Sequence, residues 1–418
     1  MKQEYDIAVI GAGTAGCVAA IQAARAGART ILIEKNAAPG GTMTVGGVDF
    51  PGLFHAWGKQ VIAGIGWEII EKCVAEAGGE MPDFSDYKQR HWKLQVRINP
   101  FLCECLIDEE FTKSGVEVLY HTMPVSVSEN SEGVRLILCG KQGEFEIHAK
   151  NVIDTTGDAN VAAMAGYELI RNKIKQPATP MLQVSGYEIS ELDLEHIDKE
   201  FHKAVEAGEM LHTDPGTSGR MSGFLHTHGS NSVHVTIDDA CGSQDKSTVE
   251  MKARATVLRI YRFLKQFSGL EKLKIDWMAP ECGIRETATI KGEYSITLQD
   301  YVSGAVFDDS LCHAYYPVDL HLNTADGLDC RPLQEGVVPT VPLRALIPAG
   351  SSHILVAGRC VSSDQLANSG LRVQAACMAM AQAAACAAVI AGKNNCNIAD
   401  VNILEVKSLL KEHKAIVP

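Results

Sequence analysis

The sequence predicts an α/β protein whose chain builds a doubly wound, mainly parallel sheet, leaves it for a strand-rich second domain, and returns near its end. Three observations predict this. Tyr5–Lys35 reads strand, glycine turn, helix, strand. His353–Ala388 reads strand, turn and a long alanine-rich helix. Between them lie short strand-like runs with one strong helical stretch, Ser247–Phe267.

The first unit carries Gly11-x-Gly13-x-x-Gly16 where the first strand ends and the helix begins. Gly11 permits the tight turn, Gly13 lets backbone approach a pyrophosphate, and Gly16 lets the helix press on the sheet. Thr14, Ala15 and Gly16 form the first helical turn, whose N–H groups and dipole favour phosphate. Glu34, followed by Lys35, ends the second strand and is placed to accept hydrogen bonds from a ribose. A second glycine turn, Gly40-Gly41-Thr42, would lie along the same ligand. Nucleotide segments at both ends of the chain suit a long dinucleotide, FAD extended across the sheet. This is a Rossmann-like arrangement of the glutathione-reductase type, and no second glycine fingerprint marks a nicotinamide domain.

Composition narrows the rest. The 418 residues are 46% hydrophobic and 21% charged, ordinary for a globular protein. A net charge of −13 argues against nucleic acid or anionic membrane as a partner, since both require basic surface. The polar opening Met1–Asp6 reads as no signal peptide. The 13 cysteines follow no framework, and Cys103-x-Cys105 falls in a helical stretch where residues two apart face different ways. Reduced thiols, a cytoplasmic location and no metal site are the expectations. Val373–Ala391 carries no charge but is mostly alanine, which reads as a buried helix and not a membrane span.

Four further stretches carry a family resemblance: Val152–Gly166 ("VIDTTGDANVAAMAG"), Gly283–Thr297 ("GIRETATIKGEYSIT"), Tyr315–His321 ("YYPVDLH"), and "ILVAGRCVSS" followed by "LRVQAACMAM". In this order the chain resembles the FAD-dependent oxidoreductases related to the fumarate reductase and succinate dehydrogenase flavoprotein branch. The resemblance implies that Thr156, Gly157 and Asp158 pass the flavin nucleotide and that Val125 meets the adenine through its backbone. Thr287-Ala288-Thr289 and Asp364–Asn368 depart from the branch's pattern, which puts the substrate in doubt. Gly358 and Arg359 end the last strand, where doubly wound sheets bind ligands. Ser362 and Ser363 are candidates for the ribityl chain. Leu371, Arg372 and Val373 open the alanine-rich helix, with N–H groups expected to face the flavin pyrimidine and Arg372 to raise its potential.

The nucleotide domain is placed in residues 1–166, with a helical insertion at about 46–95, and in 338–418, which ends in a surface helix. The substrate domain is placed in 167–337. Its candidate chemistry lies in Arg285, which either clamps a substrate carboxylate or is neutralised by Glu286, and in His321 and a histidine-rich stretch, Leu225–His234. Read as a hairpin with a three-residue loop, that stretch sets His226, His228 and His234 on one face; a two-residue loop turns His234 away. The face is an acid–base surface, a metal site or a plain polar strand. His55 is a candidate for a covalent flavin link. The expected activity is hydride transfer between flavin N5 and a small polar metabolite, with the electron acceptor or donor open. The rivals are reduction of an activated C=C bond and a flavin-bearing electron-transfer or interaction subunit.

Overall fold

The computed structural model describes residues 3–237, 240–322 and 327–418. Its main sheet runs, in spatial order, Glu117–Leu119, Thr30–Ile33, Gln3–Ile10 and Gly143–Asp154, all parallel. The strand Gly143–Asp154 is long enough to serve two neighbours on its other edge. Its first half pairs antiparallel with Gly133–Gly140, and Val152–Asp154 pairs parallel with Ile354–Val356. The register puts Ile33, Ile10, Asp154 and Val356 in one row. Each is followed at once by a loop, so Gly11, Glu34, Thr155 and Ala357 share the carboxyl edge of the sheet.

Two helices cover one face. Thr14–Arg25 buries ten of its residues, and Gln374–Asn394 packs along it. Alanine on both helices lets the axes approach closely, and the apolar helix, long enough to cross a membrane by length and composition, is mostly buried there. The insertion near 46–95 contributes the helix Ile65–Glu76 to the same core. The C-terminal helix Ile403–Glu412 docks by Val406 and Leu410.

Residues from Ala178 to Ile284 form a separate hydrophobic core. The expectation of a strand-rich second domain is corrected here. That core is built from the helices Leu194–Glu206, Met221–His226 and Ser243–Leu264, with one strand pair, Leu182–Ser185 and Lys274–Met278. Ile197, Phe201 and Ala204 recur at helical spacing among charged residues, a period short apolar runs conceal. Ile296, Tyr301, Leu311, Val318 and Leu333, assigned from sequence to the second domain, pack into the main core.

Leu225–His234 is not a hairpin. Met221, Phe224 and Leu225 are buried at i, i+3 and i+4, so the stretch enters as a helix ending at His226. His228 and Asn231 then take left-handed conformations (φ 51° for both) that turn the chain.

Candidate active site

Gly13 caps the first helix with an ordinary φ of −68° and no side-chain cap. A Cβ added there would approach only the Thr155 carbonyl, at 3.8 Å, so neither backbone conformation nor packing demands glycine. A ligand held against this backbone would demand it, as a dinucleotide pyrophosphate would. Gly16 is different: its Cβ would lie 1.8 Å from the Gly11 carbonyl oxygen, so it serves helix–sheet packing. The second glycine turn folds directly onto the first. Gly40 N–H donates to the Ala12 carbonyl (2.7 Å), Thr14 Oγ1 donates to the Gly40 carbonyl (3.1 Å), and Gly41 abuts Gly13. Thr42 accepts Val48 N–H at its carbonyl, closing that turn.

The buried Glu34 carboxylate is held by Ala12 N–H (2.6 Å) and Asn36 N–H (2.8 Å). Lys35 points away to Glu281, 2.5 Å off. Across this edge the ladder of Met123–Asn130 shifts register between Pro124 and Ser126, leaving Val125 exposed and its backbone outside the pairing. The turn after Asp154 is organised from below: its buried carboxylate accepts from Thr156 N–H and Oγ1 and from Val161 and Ala162 N–H. Arg359 spends its guanidinium on this turn, donating to the carbonyls of Gly157 and Ile284 and to Asp158 at 2.5 Å. Gly358, with φ 101°, makes the bend that brings Arg359 there.

The second grouping is charged. Arg285 donates through Nη1 to the Pro177 carbonyl (2.8 Å) and Thr179 Oγ1 (2.7 Å), and its Nη2 lies 3.4 Å from Nε2 of His234. Backbone bridges Ala178–Val235 and Thr179–Gly283 align the three segments that carry these groups. The His234 ring meets His321 edge-on at 5.1 Å between centroids. His321 Nε2 lies 3.3 Å from Asp319 Oδ2, and Arg372 donates to the Asp319 carbonyl (3.0 Å) and to Gln176 Oε1 (3.1 Å). The side chains of Arg372, Asp319 and His321 keep 12%, 14% and 13% exposure, so the group is buried but not sealed from solvent.

Burial, with Arg285 beside them, lowers His234 to about 2 and His321 to about 4, so both rings are neutral near pH 7. Burial and the neighbouring Arg372 bring Arg285 down to about 9, still charged. Burial raises Asp319, but His321 and the two arginines outweigh it and hold the carboxyl at about 2. Among the described residues, the Asp319 carboxylate acts on both guanidiniums, and the buried Glu286 carboxylate acts on Arg372 as well. His321 Nδ1 and Arg372 Nε are buried without a hydrogen-bond partner among the described residues.

Comparison with known proteins bears on the nucleotide edge. The profile of the FAD dependent oxidoreductase family matches residues 6–410. The chain belongs to that family. FAD is therefore its cofactor, and the residues of the glycine-turn edge are ones that could hold it. The oxidoreductase is 33% identical over 97 residues to the tRNA uridine 5-carboxymethylaminomethyl modification enzyme MnmG of Zymomonas mobilis subsp. mobilis, covering 23% of this chain and 14% of that protein. It is 47% identical over 53 residues to dihydrolipoyl dehydrogenase of Trypanosoma brucei brucei, covering 12% and 11%. Among solved structures, OxyS anhydrotetracycline hydroxylase from Streptomyces rimosus superposes with a TM-score of 0.46 at 14% identity, over 99% of this chain and 66% of that one. A geranylgeranyl bacteriochlorophyll reductase-like protein from Thermoplasma acidophilum gives 0.47 at 12%, over 99% and 84%.

In the oxidoreductase, several residues expected to meet the flavin are otherwise engaged. Ser362 Oγ accepts Gly292 N–H, and Ser363 Oγ donates to the Val361 carbonyl. Leu371 ends the helix Gln365–Leu371, and the N–H groups of Arg372 and Val373 donate back into it, to Asn368 and Gly370. They do not point out as the first donors of the alanine-rich helix; Val373 caps that helix. The guanidinium of Arg372 turns to Asp319. His226 is exposed at a helix end and His228 is exposed against the Tyr187 ring, so the shared histidine face does not form. Of the three histidines only His234 joins Arg285 and His321. His55 stacks on Phe84 at 3.7 Å, inside an aromatic cluster with Trp67.

Arg285 and Glu286 do not neutralise each other. Glu286 faces away and accepts from Asn172, Gln176 and Gln365. Sequence reading missed Asp319, although it stands two residues before His321 on one strand, which puts both on one face. It also missed Gln176 and Asp154, whose partners lie far along the chain.

Proposed function

We propose that the protein transfers a hydride between flavin N5 and a small carboxylate-bearing metabolite, held by Arg285 and Arg372 and exchanging its proton with His321. The observation that carries this reading is the buried Arg285 guanidinium, which makes no ion pair among the described residues and lies near Arg372, itself 3.7 Å from Asp319. Surplus buried charge is costly without a partner, and a carboxylate bound between two guanidiniums supplies one, with charge-assisted hydrogen bonds that also orient it. Bound FAD supplies hydride acceptance or donation at N5.

The chain's own groups account for the remainder. Asp319 holds Nε2 of His321, so the lone pair of Nδ1 is presented inward as a proton acceptor. His234 keeps a neutral ring against Arg285 and fixes that guanidinium. The second core brings Arg285 and His234 as a cap, while the main core side brings Arg372, Asp319 and His321. The order of the sequence motifs, similar to the fumarate reductase and succinate dehydrogenase branch, supports this chemistry.

The test is anaerobic mixing of the holoprotein with small carboxylates and with their uncharged amides. Flavin bleaching by one or more carboxylates, lost in Arg285→Met, supports the reading. Bleaching by an amide at the rate of its acid, unchanged in Arg285→Met, overturns it.

A further inference from the structure

Glu286 is a buried carboxylate at 5% exposure whose hydrogen-bond partners among the described residues are side-chain amides. Asn172 Nδ2 donates to Oε1 at 2.6 Å, Gln365 Nε2 donates to both oxygens at 3.1 and 2.9 Å, and Gln176 Nε2 donates to Oε2 at 3.3 Å. An anion can only accept here, so it dictates which end of each amide faces it. For Gln176 this has a consequence on the far side. With its NH₂ turned to Glu286, its Oε1 points at the charged group, where it accepts from Arg372 Nη2 (3.1 Å) and from His321 N–H (3.2 Å). The reversed amide would set an NH₂ group against both donors.

We infer that Glu286 is a positioning residue for substrate binding, acting through Gln176 to hold Arg372 and the backbone of His321. The dipeptide Arg285-Glu286 then governs both guanidiniums: Arg285 belongs to the charged group itself, and Glu286 holds the amide that holds Arg372. This rests on the reading of Arg372 as an anion-binding group. Glu286 touches neither reacting atoms nor anion. A charge-assisted acceptor of this kind is worth on the order of 10- to 100-fold in affinity.

The experiment uses the FAD-loaded protein and its variants Glu286→Gln, Glu286→Asp, Gln176→Leu and the double variant Glu286→Gln/Gln176→Leu. Acetate, oxalate, malonate and succinate are titrated against flavin absorbance, with FAD content and melting temperature as controls for folding. Glu286→Gln is expected to weaken carboxylate binding on the order of 10-fold or more with FAD retained, and Glu286→Asp to restore part of it. The decisive comparison is Gln176→Leu with the double variant. Little further loss is expected in the double variant, because Glu286 acts chiefly through Gln176 and its direct field at Arg372 ranks behind that of Asp319; a further loss as large as that of Glu286→Gln alone would overturn the inference. If the wild type binds none of the four acids, the proposed function fails and the positioning role is decided separately. A crystal structure of Glu286→Gln then shows the Gln176–Arg372 contact broken, as expected, or intact, which overturns it.

Discussion

His321 places Nε2 3.3 Å from Oδ2 of Asp319 and leaves Nδ1 buried and unpartnered among the described residues. Two residues of one strand thus make an oriented imidazole, with the carboxylate choosing the tautomer. His321→Gln should retain FAD and fold while slowing flavin reduction by substrate on the order of 10²-fold. Asp319→Asn should do the same, because an amide can present its NH₂ group to Nε2 and reverse the tautomer. Stopped-flow reduction checks both. His226→Ala and His228→Ala should reduce at the wild-type rate, since both rings stand at the surface. Loss of rate in either would return the chemistry to Leu225–His234.

The neutral His321 also sets an acid limit on stability. Its value in the folded chain is about 4, led down by burial, against 6.5 when unfolded. Between those values the unfolded chain binds more protons, so stability is complete above pH 6.5 and falls as pH drops toward 4. One such imidazole is worth on the order of 3 kcal/mol. Urea midpoints of the holoprotein should decline from pH 7 to 4.5, and His321→Gln should make the decline shallower, leaving the shares of His234 and His55. Parallel curves for the two proteins would show that His321 gains its proton freely while folded.

Gly13→Val should abolish FAD binding without unfolding the chain, since its Cβ meets only the Thr155 carbonyl, at an ordinary contact distance of 3.8 Å. Gly16→Val should instead destabilise the fold, because its Cβ collides with the Gly11 carbonyl. Flavin titration and thermal melting separate the two. Glu34→Ala should weaken FAD binding more mildly than Gly13→Val. Equal FAD affinity in Gly13→Val and wild type would move the pyrophosphate elsewhere.

Arg372→Met should lower affinity for small carboxylates on the order of 100-fold or more, by removing one of two buried guanidiniums and leaving Asp319 with a single cation. Titration of the flavin spectrum with oxalate or malonate reads this. Its effect on the flavin potential should be the smaller one, because the guanidinium is bound to Asp319 and Gln176. A large fall in potential with carboxylate affinity intact would reverse that assignment.

The nucleotide edge was legible in the sequence because it is local. A strand, a glycine turn and a helix within about thirty residues carry their own spacing rules. The parallel register then lines up Gly11, Glu34 and Thr155 without further instruction. The charged group around Arg285 and His321 was only half legible. Arg285 and His321 stood out by residue type, yet what each faces depends on residues more than fifty or a hundred positions away, such as His234, Thr179 and Gln176.

By itself the sequence determined the α/β class, the strand–glycine turn–helix unit and the buried alanine-rich helix, consequences of short-range periodicity and glycine placement, while FAD was read from turns at both ends of the chain and from the family resemblance. Tertiary structure alone decided that Leu225–His234 enters as a helix, that Arg285 and Glu286 face opposite ways, and that Arg372 meets Asp319. Those outcomes are set by which side chains find partners once burial removes water. A buried charge must be satisfied by whatever donor or acceptor the packed fold delivers, and chain spacing does not encode that delivery.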